Sequence, residues 1–133
     1  MKGTLLLAEA ATVHQDGTIS ILRAWIGTAL YPGPPFVFRG MLVVRIEADR
    51  TDGGANHRFD LRCIDEDGHP AMPDVQGQFA VRDGGGLSNM LLGVATVFPK
   101  PGRFTFVLRV NNNTLDTYAL NIVQGNPVEE AKQ

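Results

Sequence analysis

The sequence has very little cysteine and tryptophan, and little excess charge of either sign. Its 133 residues include one cysteine and one tryptophan, and twelve basic against fourteen acidic residues leave a formal net charge of −2. Since a single cysteine cannot form an internal disulfide, the chain is not a disulfide-stapled scaffold. Since a near-neutral chain has no long-range positive field, we expect neither nucleic acid nor a membrane surface as its partner.

Long hydrophobic runs are also absent. No stretch approaches the roughly 20 apolar residues that a membrane-spanning helix needs. The apolar segment near the start is interrupted by Glu9, whereas an export signal carries about 7–15 uninterrupted apolar residues. We therefore expect an unexported, soluble protein in a reducing cytoplasm, with Cys63 as a free thiol.

Hydrophobic residues make up 44% of the chain, which is enough to exclude a disordered protein. A chain of 14.4 kDa can bury about two-thirds of its unfolded surface in one core. We expect a single domain over residues 1–123. Residues 124–133 are polar and contain a Gly-Asn-Pro break, so they are predicted to form a C-terminal tail.

Apolar residues alternate with polar ones along most of the chain, and turn residues follow about every ten positions. Phe104, Phe106 and Leu108, for example, alternate with Arg103 and Thr105. This pattern predicts an all-β protein in which eight antiparallel strands form a two-sheet sandwich, immunoglobulin-like or jelly-roll, with negligible helix. The predicted strands are residues 4–13, 18–26, 36–48, 57–64, 75–82, 91–98, 103–111 and 114–123. One helical turn is conceivable at residues 87–90.

Residues that could perform catalysis or bind a metal are few and scattered. Cys63 is in phase with Phe59 and Leu61, which predicts a buried thiol. The histidines, His14, His57 and His69, lie at or beside turns without the spacing of a zinc site, and we expect them to be solvated. We therefore predict no catalytic residue, no metal and no cofactor, and a protein that is not an enzyme.

One segment, Asp65-Glu66-Asp67-Gly68, resembles part of a calcium-binding loop because carboxylates two positions apart precede a glycine. No closing glutamate follows at the required distance, which favours an ordinary Asp-Gly turn. A loop site completed by Asp49 or Asp52 stays open as an alternative.

Apolar residues on the outward side of the third predicted strand are more informative. The even positions of this strand fit a buried face. The odd positions face the other way and should be polar in a monomer, yet several are apolar. We predict that they form an interface with another protein: Val37, Arg39, Met41, Val43 and Arg45.

The preceding segment, residues 25–35, adds two aromatic side chains to this predicted interface. It holds Trp25 and Tyr31 among three prolines. Because prolines stiffen a loop, aromatic residues on it lose little entropy on docking. The alternative interpretation is that Trp25 caps one end of the core.

Several segments resemble an uncharacterised bacterial family of small β-sandwich proteins. They are residues 5–11 with 16–22, residues 57–62 leading to 65–70, and residues 99–106. The similarity extends to about Val123. The resemblance implies a β-sandwich and no known activity. This chain departs from the family at Leu22-Arg23-Ala24, where a glycine-rich stretch commonly precedes the tryptophan.

Together these observations predict a non-catalytic β-sandwich that works by protein–protein contact. The partner would be a second copy of the chain or a larger assembly, and one concrete version is a decoration protein on a phage capsid, located in the virion. A module for a carbohydrate or another small ligand, stacked on Trp25 or Tyr31, is the alternative. A small hydrolase is a remote third hypothesis.

Overall fold

Nine β-strands in two sheets account for most of the structure, a computed structural model that describes residues 1–125. The strands are β1 (Lys2–Val13), β2 (Ile19–Ala24), β3 (Thr28–Tyr31), β4 (Phe36–Ala48), β5 (Asn56–Ile64), β6 (Val75–Ala80), β7 (Gly86–Phe98), β8 (Gly102–Val110) and β9 (Asn113–Gln124). A short 3-10 helix, Arg50–Asp52, precedes β5. Across residues 1–125 no helix is both long and apolar enough to span a bilayer.

Sheet 1 has four antiparallel strands in the order β2-β1-β4-β7, and sheet 2 has five strands in the order β3-β9-β8-β5-β6. Within sheet 2, β3 runs parallel to β9 and the other pairs are antiparallel. The all-β class and the two sheets are as predicted. The prediction of eight strands, all antiparallel, is wrong, since nine strands form and one pairing is parallel.

The missed strand is β3. Its four residues are too few to show an alternating pattern, and they lie in the segment that the sequence analysis assigned to a stiff loop. They are extended because they pair with β9, from Thr28 opposite Asn121 to Tyr31 opposite Gln124. Only tertiary structure supplies that partner.

The helical turn conceived at residues 87–90 is also wrong. These residues belong to β7, which begins at Gly86 rather than at residue 91. Leu87 pairs with Glu47 and Met90 with Val44. The long partner strand β4 keeps them extended.

One hydrophobic core lies between the sheets, and the predicted inward residues of β4 are part of it. At its centre the rings of Phe98 and Phe104 are 4.4 Å apart. The buried residues of this core are Leu5, Leu7, Phe36, Phe38, Leu42, Val44, Ile46, Phe59, Leu61, Cys63, Val94, Phe98, Phe104, Phe106, Leu108, Val110, Leu120 and Ile122. Strands from both sheets contribute to it, so the fold is sandwich-like.

Residues 25–27 carry the chain from sheet 1 to sheet 2. The backbone N–H of Ile26 donates to the carbonyl of Leu7 in β1. One residue later the carbonyl of Gly27 accepts from the N–H of Asn121 in β9. The crossing segment is thus bonded to both sheets. At the other end of the chain β9 includes Gln124, and most of the predicted tail, residues 126–133, lies outside the described residues.

Candidate functional site

The side chains of sheet 1 that point away from the core form the candidate site, which we call the outer face. Strand register brings these residues together, because directly opposed residues lie on the same side of a sheet. Leu6 on β1 is opposite Val43 on β4, which is opposite Leu91 on β7. The large side chains of the outer face are Lys2, Leu6, Leu22, Val37, Arg39, Met41, Val43, Arg45, Glu47, Leu87, Leu91 and Val97.

Four large apolar side chains of the outer face are open to solvent. Leu22, Leu87 and Val97 are each 58% exposed and Val37 is 41% exposed. They lie on three strands, so the apolar surface extends across the sheet. Val37 and Val97 are directly paired, whereas Leu87 lies near the other end of β7, opposite Glu47. Large apolar side chains exposed on one face are a feature of contact sites on proteins.

The centre of the outer face is more covered than the sequence predicts. Val43 was predicted to be uncovered, and this is wrong, since it is only 5% exposed. Its neighbours in register, Leu6 and Leu91, flank it on both sides. Met41, one step along the same row of β4, is half-buried. Near Arg45 the β1–β2 turn also lies against the outer face, because the side-chain amide of Asn89 on β7 donates to the carbonyl of Gly17 at 3.0 Å.

Two arginines lie on the outer face with the apolar residues. Arg39 and Arg45 are both exposed. The Nε of Arg45 lies 3.9 Å from a carboxylate oxygen of Glu47. The aliphatic stems of such side chains can pack on apolar surface while the charge stays in water.

Tyr31 and Trp25 were predicted to join the same interface, but neither lies on the outer face. The Tyr31 hydroxyl donates to the carbonyl of Val37 at 2.9 Å, and its ring meets Phe36 edge-on. Burial raises the pKa of this hydroxyl above its ordinary value. Tyr31 therefore anchors β3 to the start of β4.

Trp25 lies where the chain crosses between the sheets. Its ring stacks on Tyr118 with centroids 6.2 Å apart, and the side chain is 63% exposed. The Tyr118 hydroxyl in turn donates to the carbonyl of Ile26 at 2.7 Å. Tyr118 packs against the core, and Trp25 lies over Tyr118 while its own side chain stays exposed.

Sequence reasoning missed the outer-face residues of the neighbouring strands: Leu6, Leu22, Leu87, Leu91 and Val97. For Leu91 and Val97 a signal existed, since both alternate with core positions of β7. Their apolar character was visible as well. What the pattern did not show is that β1 and β7 flank β4, which brings these side chains together.

A polar groove of about 530 Å³ occupies the opposite side of the molecule, on β5, β6 and β8 of sheet 2. Asp60 lies at its centre and is held by Arg109, whose Nε and Nη2 donate at 3.0 and 2.9 Å. These hydrogen bonds raise the pKa of Arg109. Arg62 lies 3.4 Å from Asp60 and from Asp74. Arg58 adds a third guanidinium to the lining.

Cys63 is buried in the core, as predicted. Burial raises the pKa of its thiol to about 12, so the nucleophilic thiolate is suppressed at neutral pH. This environment is the opposite of the exposed, electropositive one that activates a catalytic cysteine.

His57 is not the solvated loop histidine that the sequence analysis expects, because it is 8% exposed and stacks on Phe79. Its Nε2 is 2.9 Å from the carbonyl of Asp52, and its Nδ1 accepts from the side-chain amide of Asn111. Nε2 thus fastens the loop before β5, and Nδ1 fastens the turn between β8 and β9. His14 and His69 are exposed as expected.

The predicted Asp-Gly turn brings Asp65, Asp67 and His69 together at the surface, with one potential metal ligand from each within 4.8 Å. Asp65 already accepts hydrogen bonds from the backbone N–H groups of His69 and Asp67, at 2.8 and 2.9 Å. The hydrogen bond from the His69 N–H is the main reason that the pKa of Asp65 is lowered. The carboxylate thus closes the turn, as an Asx-turn does.

The chain belongs to a family of unknown function, DUF6941, whose model matches residues 3–123. The match covers the extent over which the sequence analysis finds its family resemblance. No curated protein and no solved structure matches the chain.

Proposed function

We propose that this DUF6941 protein is a non-catalytic structural protein that associates with a second copy of itself through the outer face. The observation that carries the proposal is the exposure of Leu22, Val37, Leu87 and Val97 on one side of one sheet. Water in contact with these side chains is released when the face is covered, and that release favours association.

The size of the outer face suits such a contact. Its strands β1, β2, β4 and β7 have 12, 6, 13 and 13 residues, which at about 3.3 Å per residue and about 4.8 Å between strands cover roughly 700 Å². A stable protein–protein interface buries about 800 Å² on each partner. A face of matching size on a second copy would cover it.

A second copy is the occupant we favour. Most soluble oligomers are symmetric homo-oligomers, and a two-fold interface places the same patch on both subunits. The outer face carries both signs of charge, through Arg39, Arg45 and Glu47. Across a two-fold axis, an arginine of one copy can therefore meet the glutamate of the other.

The finer architecture also supports an assembly role. The chain passes between the sheets after β2, β3, β4, β6 and β7. We assign this crossing pattern to the jelly-roll group rather than to the immunoglobulin-like one, and jelly rolls are common in viral capsid proteins. A phage-encoded capsid decoration protein, located in the virion, is the specific version we propose; a bacterial, cytoplasmic homo-oligomer is the general one.

A binding module for a small ligand is the second candidate, and the groove on sheet 2 favours it. Its volume lies in the range of small-molecule sites. The three arginines would select an anion rather than the carbohydrate first considered. Trp25 is less suited to stacking on a sugar, because one side of its ring already faces Tyr118.

The test of self-association is the molar mass in solution, measured by size-exclusion chromatography with light scattering. We expect a dimer or a larger oligomer, and we expect Val37→Asp to weaken association at least tenfold. Ile21→Asp is the matched control, because Ile21 is 40% exposed, as Val37 is, but lies on the other side of sheet 1. Met41→Asp is a second disruptive variant, at the half-covered centre.

A protein that stays monomeric at all concentrations up to about 1 mM would contradict the proposal. A dissociation constant of that size corresponds to an association free energy of only about 4 kcal/mol. If the oligomer tolerates both Val37→Asp and Met41→Asp, the contact between the copies lies on another surface. A small anion that raises the melting temperature of a monomer would favour the second candidate.

A further inference from the structure

The strand β7 forms one free edge of sheet 1. It is 13 residues long and pairs with β4 without interruption, from Phe98 opposite Phe36 to Gly86 opposite Ala48. No strand within residues 1–125 pairs with its other side. Its outward-pointing backbone N–H and C=O groups therefore form a long, regular row that no strand of residues 1–125 pairs with.

The composition of β7 leaves this edge unprotected. Its sequence, GLSNMLLGVATVF, contains no charged residue and no proline. Proteins normally protect an edge strand with charges, proline, a bulge or short length, because an open edge recruits other strands. Its register with β4 also lacks a bulge.

The other three edges do carry such protection. β2 has six residues, and Arg23 near its end has a φ of 53°, which interrupts the extended backbone. β3 has four residues and is followed at once by Pro32, with Pro34 and Pro35 shortly after. β6 has six residues, with Gly77 among them. The contrast indicates that β7 is kept open for a partner.

We propose that β7 pairs antiparallel with β7 of a second copy across a two-fold axis, which joins two sheets 1 into one eight-stranded sheet. The inference rests on the proposed self-association and adds an edge contact to the contact through the outer face. The two contacts use different surfaces, so a chain that makes both forms an assembly larger than a dimer. An antiparallel pair of identical strands is isologous, as a closed dimer requires. Because β7 is uncharged, no like charges are opposed across the axis.

The pairing would also enlarge the outer face. Leu91, Ala95 and Val97 point to the same side as the rest of that face, and in the dimer they would oppose outer-side residues of the partner's β7 as cross-strand pairs. Aliphatic pairs of this kind add to the stability of a sheet. Edge pairing and a continuous apolar surface would thus occur together.

Disulfide trapping tests the strand and its register. Single cysteines replace Leu91, Gly93, Ala95 and Val97 in turn, all on the outer side of β7, and Leu22→Cys on β2 is the control. Asn89 is left unchanged because its side chain is bonded to Gly17. Leu22 is as exposed as Val97, at 58%. The native Cys63 stays, since it is buried and its thiol is protonated.

We expect one β7 position to cross-link strongly under mild oxidation and the cross-linking to fall off on both sides of it. For each residue further from the axis, the two copies of that residue lie about 6–7 Å further apart along the strands. The reason is that each copy moves by about 3.3 Å in the opposite direction. Two residues from the axis, which is the spacing of the tested positions, a disulfide can no longer form. Leu22→Cys should cross-link little.

Amide hydrogen exchange provides a second measurement that needs no substitution. In a free edge strand alternate amides of β7 exchange rapidly; edge pairing should slow them at least tenfold as the concentration of protein rises. Face packing alone would leave those amides free. Cross-linking at Leu22→Cys equal to that on β7, or unprotected β7 amides in a proven oligomer, would overturn the inference while self-association stands. A monomer at all concentrations would overturn both.

Discussion

Arg109 on β8 and Asp60 on β5 are directly opposed on two neighbouring strands. Two nitrogens of the guanidinium donate hydrogen bonds to the carboxylate. Asp60 is largely buried, whereas Arg62 reaches it only at 3.4 Å. The pair connects β5 and β8, two of the three strands that line the polar groove. Its contribution to stability can be separated from that of the looser ion pairs around it.

We expect Asp60→Ala to lower the free energy of unfolding by about 1–2 kcal/mol, because it leaves Arg109 without its hydrogen-bond acceptor. Asp74→Ala is the control. Asp74 is more exposed and meets Arg62 at 3.4 Å, so its loss should cost less than about 0.5 kcal/mol. Urea unfolding measures both variants. Equal losses would show that the geometry at Asp60 gives no advantage.

The thiol of Cys63 gives a pH dependence with a definite sign. Burial raises its folded pKa to about 12, from an ordinary value of 9.0. Because the folded pKa is raised, the contribution of the thiol to the free energy of unfolding is fully present below pH 9 and is lost as the pH rises from 9 towards 12. The loss should reach about 1 kcal/mol at pH 10.

The measurement is the difference in unfolding free energy between the native protein and Cys63→Ala, at pH 7 and at pH 10. Titration of other groups cancels in that difference. In the native state the thiol should also resist a thiol reagent at pH 8 and react once the protein is denatured. Rapid reaction of the folded protein would contradict the buried, protonated state.

Two glycines on neighbouring strands predict opposite effects of the same substitution. A Cβ on Gly40 would lie 2.9 Å from the carbonyl oxygen of Ala8 and from the ring of Phe38. Gly93 has open space at that position. We expect Gly40→Ala to cost about 1–3 kcal/mol through overpacking.

Gly93→Ala should instead stabilise by about 0.4–1 kcal/mol, because alanine restricts the unfolded chain. Thermal unfolding at low protein concentration compares the two variants. If Gly93→Ala lowers the stability as much as Gly40→Ala does, the conformational freedom of glycine determines both effects, and the close approach at Gly40 does not.

Asp65 predicts a local effect at low pH. Hydrogen bonds from the backbone N–H groups lower its pKa below 3.8, so it stays ionised as the pH falls towards that value. Order in the turn should be lost only when the pH falls through the lowered pKa. In Asp65→Ala the amides of Asp67 and His69 should exchange faster already at neutral pH, as NMR would show. Unchanged exchange would assign the order of the turn to its backbone alone.

Much of the fold was readable because pleating imposes a period of two on any half-buried strand. That rule identified the inward residues of β4 and β8, for example Phe38 and Phe106, before any coordinates. It also identified the apolar residues on the other side of β4. Where a strand is short, as β3 is, the period has no room to appear.

The sequence by itself determined the all-β class, the two sheets, the buried thiol of Cys63 and the apolar odd positions of β4, because each follows from local alternation. Only the tertiary structure decided which strands are neighbours. That order covers Val43 with Leu6 and Leu91, and it leaves β7 at a free edge. Strand order depends on contacts between residues far apart in the chain, and a local pattern does not encode them.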